Sequence, residues 1–305
     1  MRNAFADEVT QIAKIDPKVM LLSGDIGNKL FDKFKEVDAA RFLNCGIAEA
    51  NMMGVAAGLA LNGLRPVVYT ITPFTTTRCF EQIRVDVCYH EAPVVIVGTG
   101  SGLSYAELGP THHSLEDLAI LRTLPGMQII APCDPIEMRL ALREALKSKY
   151  PTYIRIGKKG EKNIHQPNIS FSIGKALTVR DGSDILLLVS GTIMSNVLDA
   201  VEILMQRGIS CKVLSFHTIK PLDEAIICSL MAEFRLVVTV EEHGRIGGLG
   251  GAVAELVSQF RNHPPLVRIG VEDEFMHEMG SQEYARKKYG LDPDGIAKKV
   301  INALV

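Results

Sequence analysis

The chain has no tryptophan, no CxxC pair and almost no net charge, and each absence removes a class of function. A formal net charge of −2 leaves no basic footprint for a phosphate backbone, so nucleic acid is not an expected partner. No uninterrupted apolar run reaches the ~20 residues of a membrane-crossing helix, so no membrane partner is expected either. The opening Met1-Arg2-Asn3-Ala4-Phe5-Ala6-Asp7-Glu8 lacks the apolar core of a secretory leader. The six cysteines (Cys45, Cys79, Cys88, Cys133, Cys211, Cys228) are scattered without zinc spacing. They read as buried thiols of a reducing compartment, so a cytoplasmic protein is expected.

Present instead are apolar runs alternating with helical patterns over 305 residues, a length suited to two domains. Strands are expected at Arg41–Cys45, Val19–Ser23, Pro66–Thr72, Pro93–Thr99 and Met127–Ala131, and near-continuous apolar runs of this kind suit a parallel sheet covered on both faces. Helices are expected at Ile47–Leu61, Phe80–Tyr89, Ser114–Arg122 and Pro135–Ser148. Right-handed crossovers then gather the loops at the strand C-termini on one edge, where functional residues belong. After the polar stretch from Gly157 to Pro167 a second set begins. Its strands are expected at Ile185–Ser190, Cys211–Ser215, Leu236–Glu241 and Leu266–Ile269, with helices at Ser195–Gln206, Ala225–Ala232, Gly248–Ser258 and Pro293–Ala303. The expected fold is α/β, with two domains (1–170 and 171–305) that each carry a mainly parallel sheet flanked by helices.

The densest signal is Asn44-Cys45-Gly46-Ile47-Ala48-Glu49-Ala50-Asn51, running into Met52-Met53-Gly54-Val55-Ala56-Ala57-Gly58. One carboxylate, Glu49, stands at the first turn of a helix made of small and apolar residues, near the positive end of its dipole. Such a helix needs burial against a sheet or another subunit. Taken alone, Glu49 could equally be a helix-terminal carboxylate with no other task.

Further along come Thr72-Pro73-Phe74-Thr75-Thr76-Thr77-Arg78-Cys79-Phe80-Glu81-Gln82, the loop Leu108-Gly109-Pro110-Thr111-His112-His113-Ser114, and Val240-Glu241-Glu242-His243-Gly244-Arg245-Ile246-Gly247-Gly248-Leu249-Gly250. Together with Glu49, these resemble the pyrimidine-binding and C-terminal domains of the transketolase family of thiamine-diphosphate enzymes, a group that takes in deoxyxylulose-phosphate synthases and the β subunits of 2-oxoacid dehydrogenases. The resemblance spans essentially the whole chain. It implies thiamine diphosphate as cofactor, with Glu49 hydrogen-bonding the aminopyrimidine and Phe74 stacking on it. The family's Phe sits one residue closer to the pair matched by Glu81-Gln82. It implies cofactor contacts for Asp25 and Ile26; by local reading Asp25 is also an ordinary turn or cap aspartate. His112 matches a substrate-facing histidine, and His113 replaces the usual glutamine. Arg155 and Arg78 are the candidate grips for a sugar phosphate, a task that suits guanidinium groups.

The resemblance also marks a gap. The family holds Mg²⁺ through a Gly-Asp-Gly segment with an Asn roughly thirty residues on, and Gly24-Asp25-Ile26-Gly27 does not supply it. The implied protein is the C-terminal subunit of a split transketolase. It would transfer a two-carbon ketol unit from a ketose phosphate to an aldose, and would be inactive without an N-terminal, diphosphate-binding partner that provides the Mg²⁺ ligands. The implied assembly is a dimer of heterodimers. Deoxyxylulose-phosphate synthase chemistry, 2-oxoacid acyl transfer and a non-catalytic regulatory paralogue stay open as alternatives.

Overall fold

Runs that are apolar on both faces build the first sheet, because only burial on both sides satisfies them. The computed structural model describes residues 1–27 and 29–304. The first half supplies β1 (Val19–Ser23), β2 (Phe42–Asn44), β3 (Arg65–Ile71), β4 (Val95–Thr99), β5 (Gln128–Ile130) and β6 (Thr152–Ile156). The second supplies β7 (Leu177–Arg180), β8 (Ile185–Ser190), β9 (Cys211–Ser215), β10 (Thr218–Lys220), β11 (Leu236–Gly244) and β12 (Leu266–Val271). One sheet runs β10-β5-β6-β4-β3-β1-β2 and the other β12-β11-β8-β9-β7. β1 to β6 are mutually parallel, so their C-terminal ends share one edge. β4 and β8 are buried along their whole length.

Two findings adjust the expected layout. β10 pairs antiparallel with β5 at the far edge of the first sheet, so a cut near residue 170 does not separate the sheets cleanly. One apolar core also runs across that division, holding Ile129 and Tyr153 with Leu186 and Phe216. In the first half, the helix expected from Ser114 starts only at Asp117. Ser114 is held back because its N–H donates to Gly102 O at 3.0 Å. The helix expected over Phe80–Tyr89 is α-helical through Gln82 and then widens into a π-helix over Ile83–Tyr89.

The helix after Glu49, Glu49–Leu61, buries Met52, Met53, Ala56, Ala57 and Ala60 against the core. Its other face, with Asn51, Val55 and Gly58, is exposed within one chain. Among the described residues, no helix is long and apolar enough to cross a membrane.

Candidate active site

The parallel strands deliver their following loops to one edge, and the site is assembled there from three of them. β2 leads through Gly46 into the helix that opens on Glu49, whose side chain is 4% exposed. β3 leads directly into the turn Thr72–Thr75, which carries Phe74. β4 leads into a glycine-rich loop and on to His112. Gly100 in that loop has φ +79°, and a Cβ there would run into the Tyr105 ring, so glycine lets Tyr105 fold down beside His112.

Arg78 joins the three loops. Its Nη1 donates to Glu49 Oε2 at 3.0 Å, and its guanidinium lies 4.0 Å from the centre of the Phe74 ring. Phe74 meets the His112 ring edge-on at 5.3 Å, and Tyr105 flanks His112 from another side at 6.0 Å. Thr111 Oγ1 lies 2.9 Å from His112 Nδ1 and so fixes that side of the ring. Burial, and then the charge of Arg78, hold the His112 pKa below its ordinary value, so a neutral imidazole faces the site. Cys79, beneath the same turn, is pushed up to about 12 by burial and by the charge of Glu49, which leaves an inert thiol.

Asp25 and Ile26 lie on the same edge, after β1. Asp25 is exposed and ties two strand ends together: its N–H donates to Gly46 O at 3.1 Å and its Oδ1 accepts from Asn44 Nδ2 at 3.2 Å. Ile26 is half-buried against the core. Neither is hydrogen-bonded to the Glu49–Arg78 pair.

Models of known families match the chain over nearly its whole length: the transketolase pyrimidine-binding domain over residues 1–160, and the transketolase C-terminal domain over residues 174–296. The chain belongs to the transketolase family. An apulose-4-phosphate transketolase subunit of Phocaeicola vulgatus is 35% identical over 302 residues, which cover 98% of this chain and 96% of the relative. The 6-deoxy-6-sulfo-D-fructose transketolase subunit SqwH of a Clostridium species is 35% identical over 305 residues, covering 99% and 92%. A 1-deoxy-D-xylulose-5-phosphate synthase from Gloeobacter violaceus is 34% identical, but this chain spans only 48% of its length. Among solved structures, a split-gene transketolase described as an inactive β4 tetramer superimposes with a TM-score of 0.90 at 33% identity, covering 99% of this chain and 97% of that one. This chain is thus a transketolase-type transferase subunit, matched almost end to end by subunits of split transketolases.

Within this transketolase chain, one expected site residue is placed elsewhere. Arg155 is 3% exposed inside β6 and is not offered to a sugar phosphate. Its Nε donates to Asp117 Oδ2 at 2.8 Å, and its Nη2 donates to Ser114 O (2.7 Å) and Glu242 O (3.0 Å). Tyr153 Oη donates to the same carboxylate oxygen at 2.6 Å. Burial opposes the charge on Asp117, but Arg155 and the hydrogen bonds outweigh it and the carboxyl is held below its ordinary pKa. The guanidinium rivets the first sheet to β11. A position within the strand should have signalled this, because a cation meant for the edge must lie past the strand's last residue, Ile156.

Lys158 occupies such a position. Its Nζ sits 4.3 Å over the Tyr105 ring, pairs with Glu107 and keeps partial exposure. Lys158 and Tyr105 are the neighbours of His112 that the sequence reading did not single out.

Proposed function

We propose that this chain is the pyrimidine-binding and C-terminal subunit of a two-chain transketolase. It moves a two-carbon ketol unit from a ketose phosphate to an aldose acceptor, with thiamine diphosphate held between this chain and an N-terminal subunit. The observation that carries the reading is the convergence of a buried carboxylate, an aromatic face and a neutral imidazole at Glu49, Phe74 and His112. The donor set fits the cofactor's ring: Glu49 already accepts a hydrogen bond from a planar cation that lies on Phe74, and a protonated aminopyrimidine makes the same two demands.

When bound, thiamine diphosphate supplies a nucleophilic thiazolium carbon, generated with the help of its own amino group. This chain's residues serve that chemistry by placing protons. Glu49 holds a proton at the far ring nitrogen, and its burial in a first helical turn keeps the carboxylate rigid. Phe74 gives the ring its plane. His112, neutral near pH 7, offers a nitrogen to a substrate hydroxyl and can pass a proton there. Lys158, beside Tyr105, is better placed than Arg155 to meet an anionic substrate end, while Asp25 and Ile26 border the cofactor from the β1 loop. Mg²⁺ would take its oxygen ligands from the partner. The assembly is a dimer of heterodimers in the cytoplasm, joined in part through the bare face of the helix Glu49–Leu61.

Calorimetric titration of thiamine diphosphate and Mg²⁺ tests this. The isolated chain should show no binding and the reconstituted pair tight binding. The pair should then turn over a ketose phosphate and not pyruvate, whose consumption would favour the deoxyxylulose-phosphate synthase reading. Glu49→Gln should lower turnover of the pair by about 10²- to 10⁴-fold. A fully active Glu49→Gln pair would end the proposal.

A further inference from the structure

We infer that Arg78 holds the place of the aminopyrimidine in the cofactor-free chain and must be displaced for the cofactor to bind. The inference rests on the reading above for the identity of the ring, but its evidence is geometric. A guanidinium is a planar cation with N–H donors along its edge. Arg78 presents one donor to Glu49 Oε2 at 3.0 Å and its plane to Phe74 at 4.0 Å. The cofactor's ring, planar and carrying N–H donors, needs the same carboxylate and the same aromatic face. Two flat groups cannot occupy one van der Waals gap, and the other close neighbour of the Phe74 ring is the edge-on His112.

Electrostatics explains why a stand-in is kept there. Glu49 is 4% exposed, and a carboxylate so buried needs a partner whenever the cofactor is absent. Arg78 provides the partner without being locked in. Its side chain is 45% exposed, and among the described residues Glu49 is its only hydrogen-bond acceptor. Rotating the side chain outward frees the carboxylate and the ring together. It also leaves the guanidinium at the mouth of the site, near His112, whose protonation it already opposes. Cofactor binding and the charge at the substrate entrance are thereby coupled through one side chain, and Arg78 is a positioning residue that acts through Glu49.

The test uses the reconstituted pair and reads binding of thiamine diphosphate by calorimetry and its association rate by stopped flow. Arg78→Ala should tighten the dissociation constant roughly five- to tenfold, the value of a half-exposed ion pair no longer to be broken. The association rate should rise with it. Arg78→Lys keeps the charge but cannot stack as a plane, and should fall between wild type and Arg78→Ala. If Arg78→Ala weakens binding, Arg78 holds the cofactor itself and the inference is wrong; unchanged affinity and rate are equally fatal. Thermal melts of each variant pair confirm that assembled, folded protein is being compared. Failure of the underlying reading looks different: Glu49→Gln would then bind thiamine diphosphate as tightly as wild type, whatever Arg78 does.

Discussion

His112 is bounded by an aromatic edge on each of two sides, by Thr111 Oγ1 at Nδ1 and by the charge of Arg78. Burial and Arg78 both disfavour the imidazolium, so its pKa lies below the ordinary 6.5. The sign follows directly. Between the lowered value and 6.5 the folded chain keeps His112 neutral where the unfolded chain would protonate it, so His112 favours folding above 6.5 and loses that contribution as pH falls through its folded pKa. The catalytic consequence has the same direction: any loss of activity caused by protonating His112 should set in below pH 6.5. Histidine NMR titration of the chain checks this, with a His112 midpoint below 6.5 expected in wild type and a higher one in Arg78→Ala. A wild-type midpoint at or above 6.5 would mean that the ring is not shielded as described.

At the scale of the element, β4 shows how tightly strand, turn and rivet are fitted. Gly98 packs where a Cβ would stand 2.9 Å from Thr72 Oγ1, 3.0 Å from the Tyr153 hydroxyl and 3.1 Å from Thr75 Oγ1. Thr72 Oγ1 donates to Thr99 O at 3.1 Å, Thr75 Oγ1 donates to Thr72 O at 3.0 Å, and the Tyr153 hydroxyl serves Asp117, so none of the three can retreat without losing a buried hydrogen bond. Gly98→Ala should therefore destabilise the chain by about 1–3 kcal/mol, the usual effect of overpacking, as measured by urea denaturation. It should also displace the turn bearing Phe74; a variant as stable as wild type would refute the crowding. Legibility from sequence follows the same physics. Long apolar runs such as β3, β4 and β8 announced themselves, as did the small-residue helix after Glu49. β7 and β10 did not, because three or four residues at a sheet edge carry too little periodicity. Glu49, Phe74 and His112 could be named because each follows a readable strand. Arg155 was misjudged because charge was weighed before its place within β6, and Arg78 was assigned a substrate without its contact to Glu49 being foreseeable.

At the scale of the whole molecule, the two sheets are fastened by a second buried network besides the Arg155 rivet. Asp134 caps the helix Pro135–Lys147 through Oδ1, and with Oδ2 accepts the N–H groups of Ile164 and His165, both at 2.8 Å. Glu137, fully buried in the same helix, accepts from Cys133 N (2.6 Å), Ser215 Oγ (2.6 Å) and His165 Nε2 (2.8 Å). One carboxylate thus joins the first sheet, the connecting segment and β9. Burial opposes the charge on His165, but the hydrogen bond and the charges of Glu137 and Asp134 prevail and raise its pKa above 6.5. Glu137 is held below its ordinary 4.5, against burial, chiefly by His165 and His217. His165 therefore stabilises the fold in full below pH 6.5 and loses that contribution as pH rises through its folded pKa, while Glu137 contributes above 4.5 and loses it as pH falls through its own. His217, stacked on Phe171 at 4.1 Å, has a lowered pKa and the opposite pH dependence, so the pair is best isolated by difference. Removing a hydrogen bond to a buried charged group costs roughly 1.5–3 kcal/mol. Urea denaturation of wild type and His165→Gln should show a gap of that order at pH 6 that narrows by pH 8, as the wild-type imidazole becomes neutral. A gap that is constant, or that widens with pH, would mean that His165 fastens the halves by packing alone.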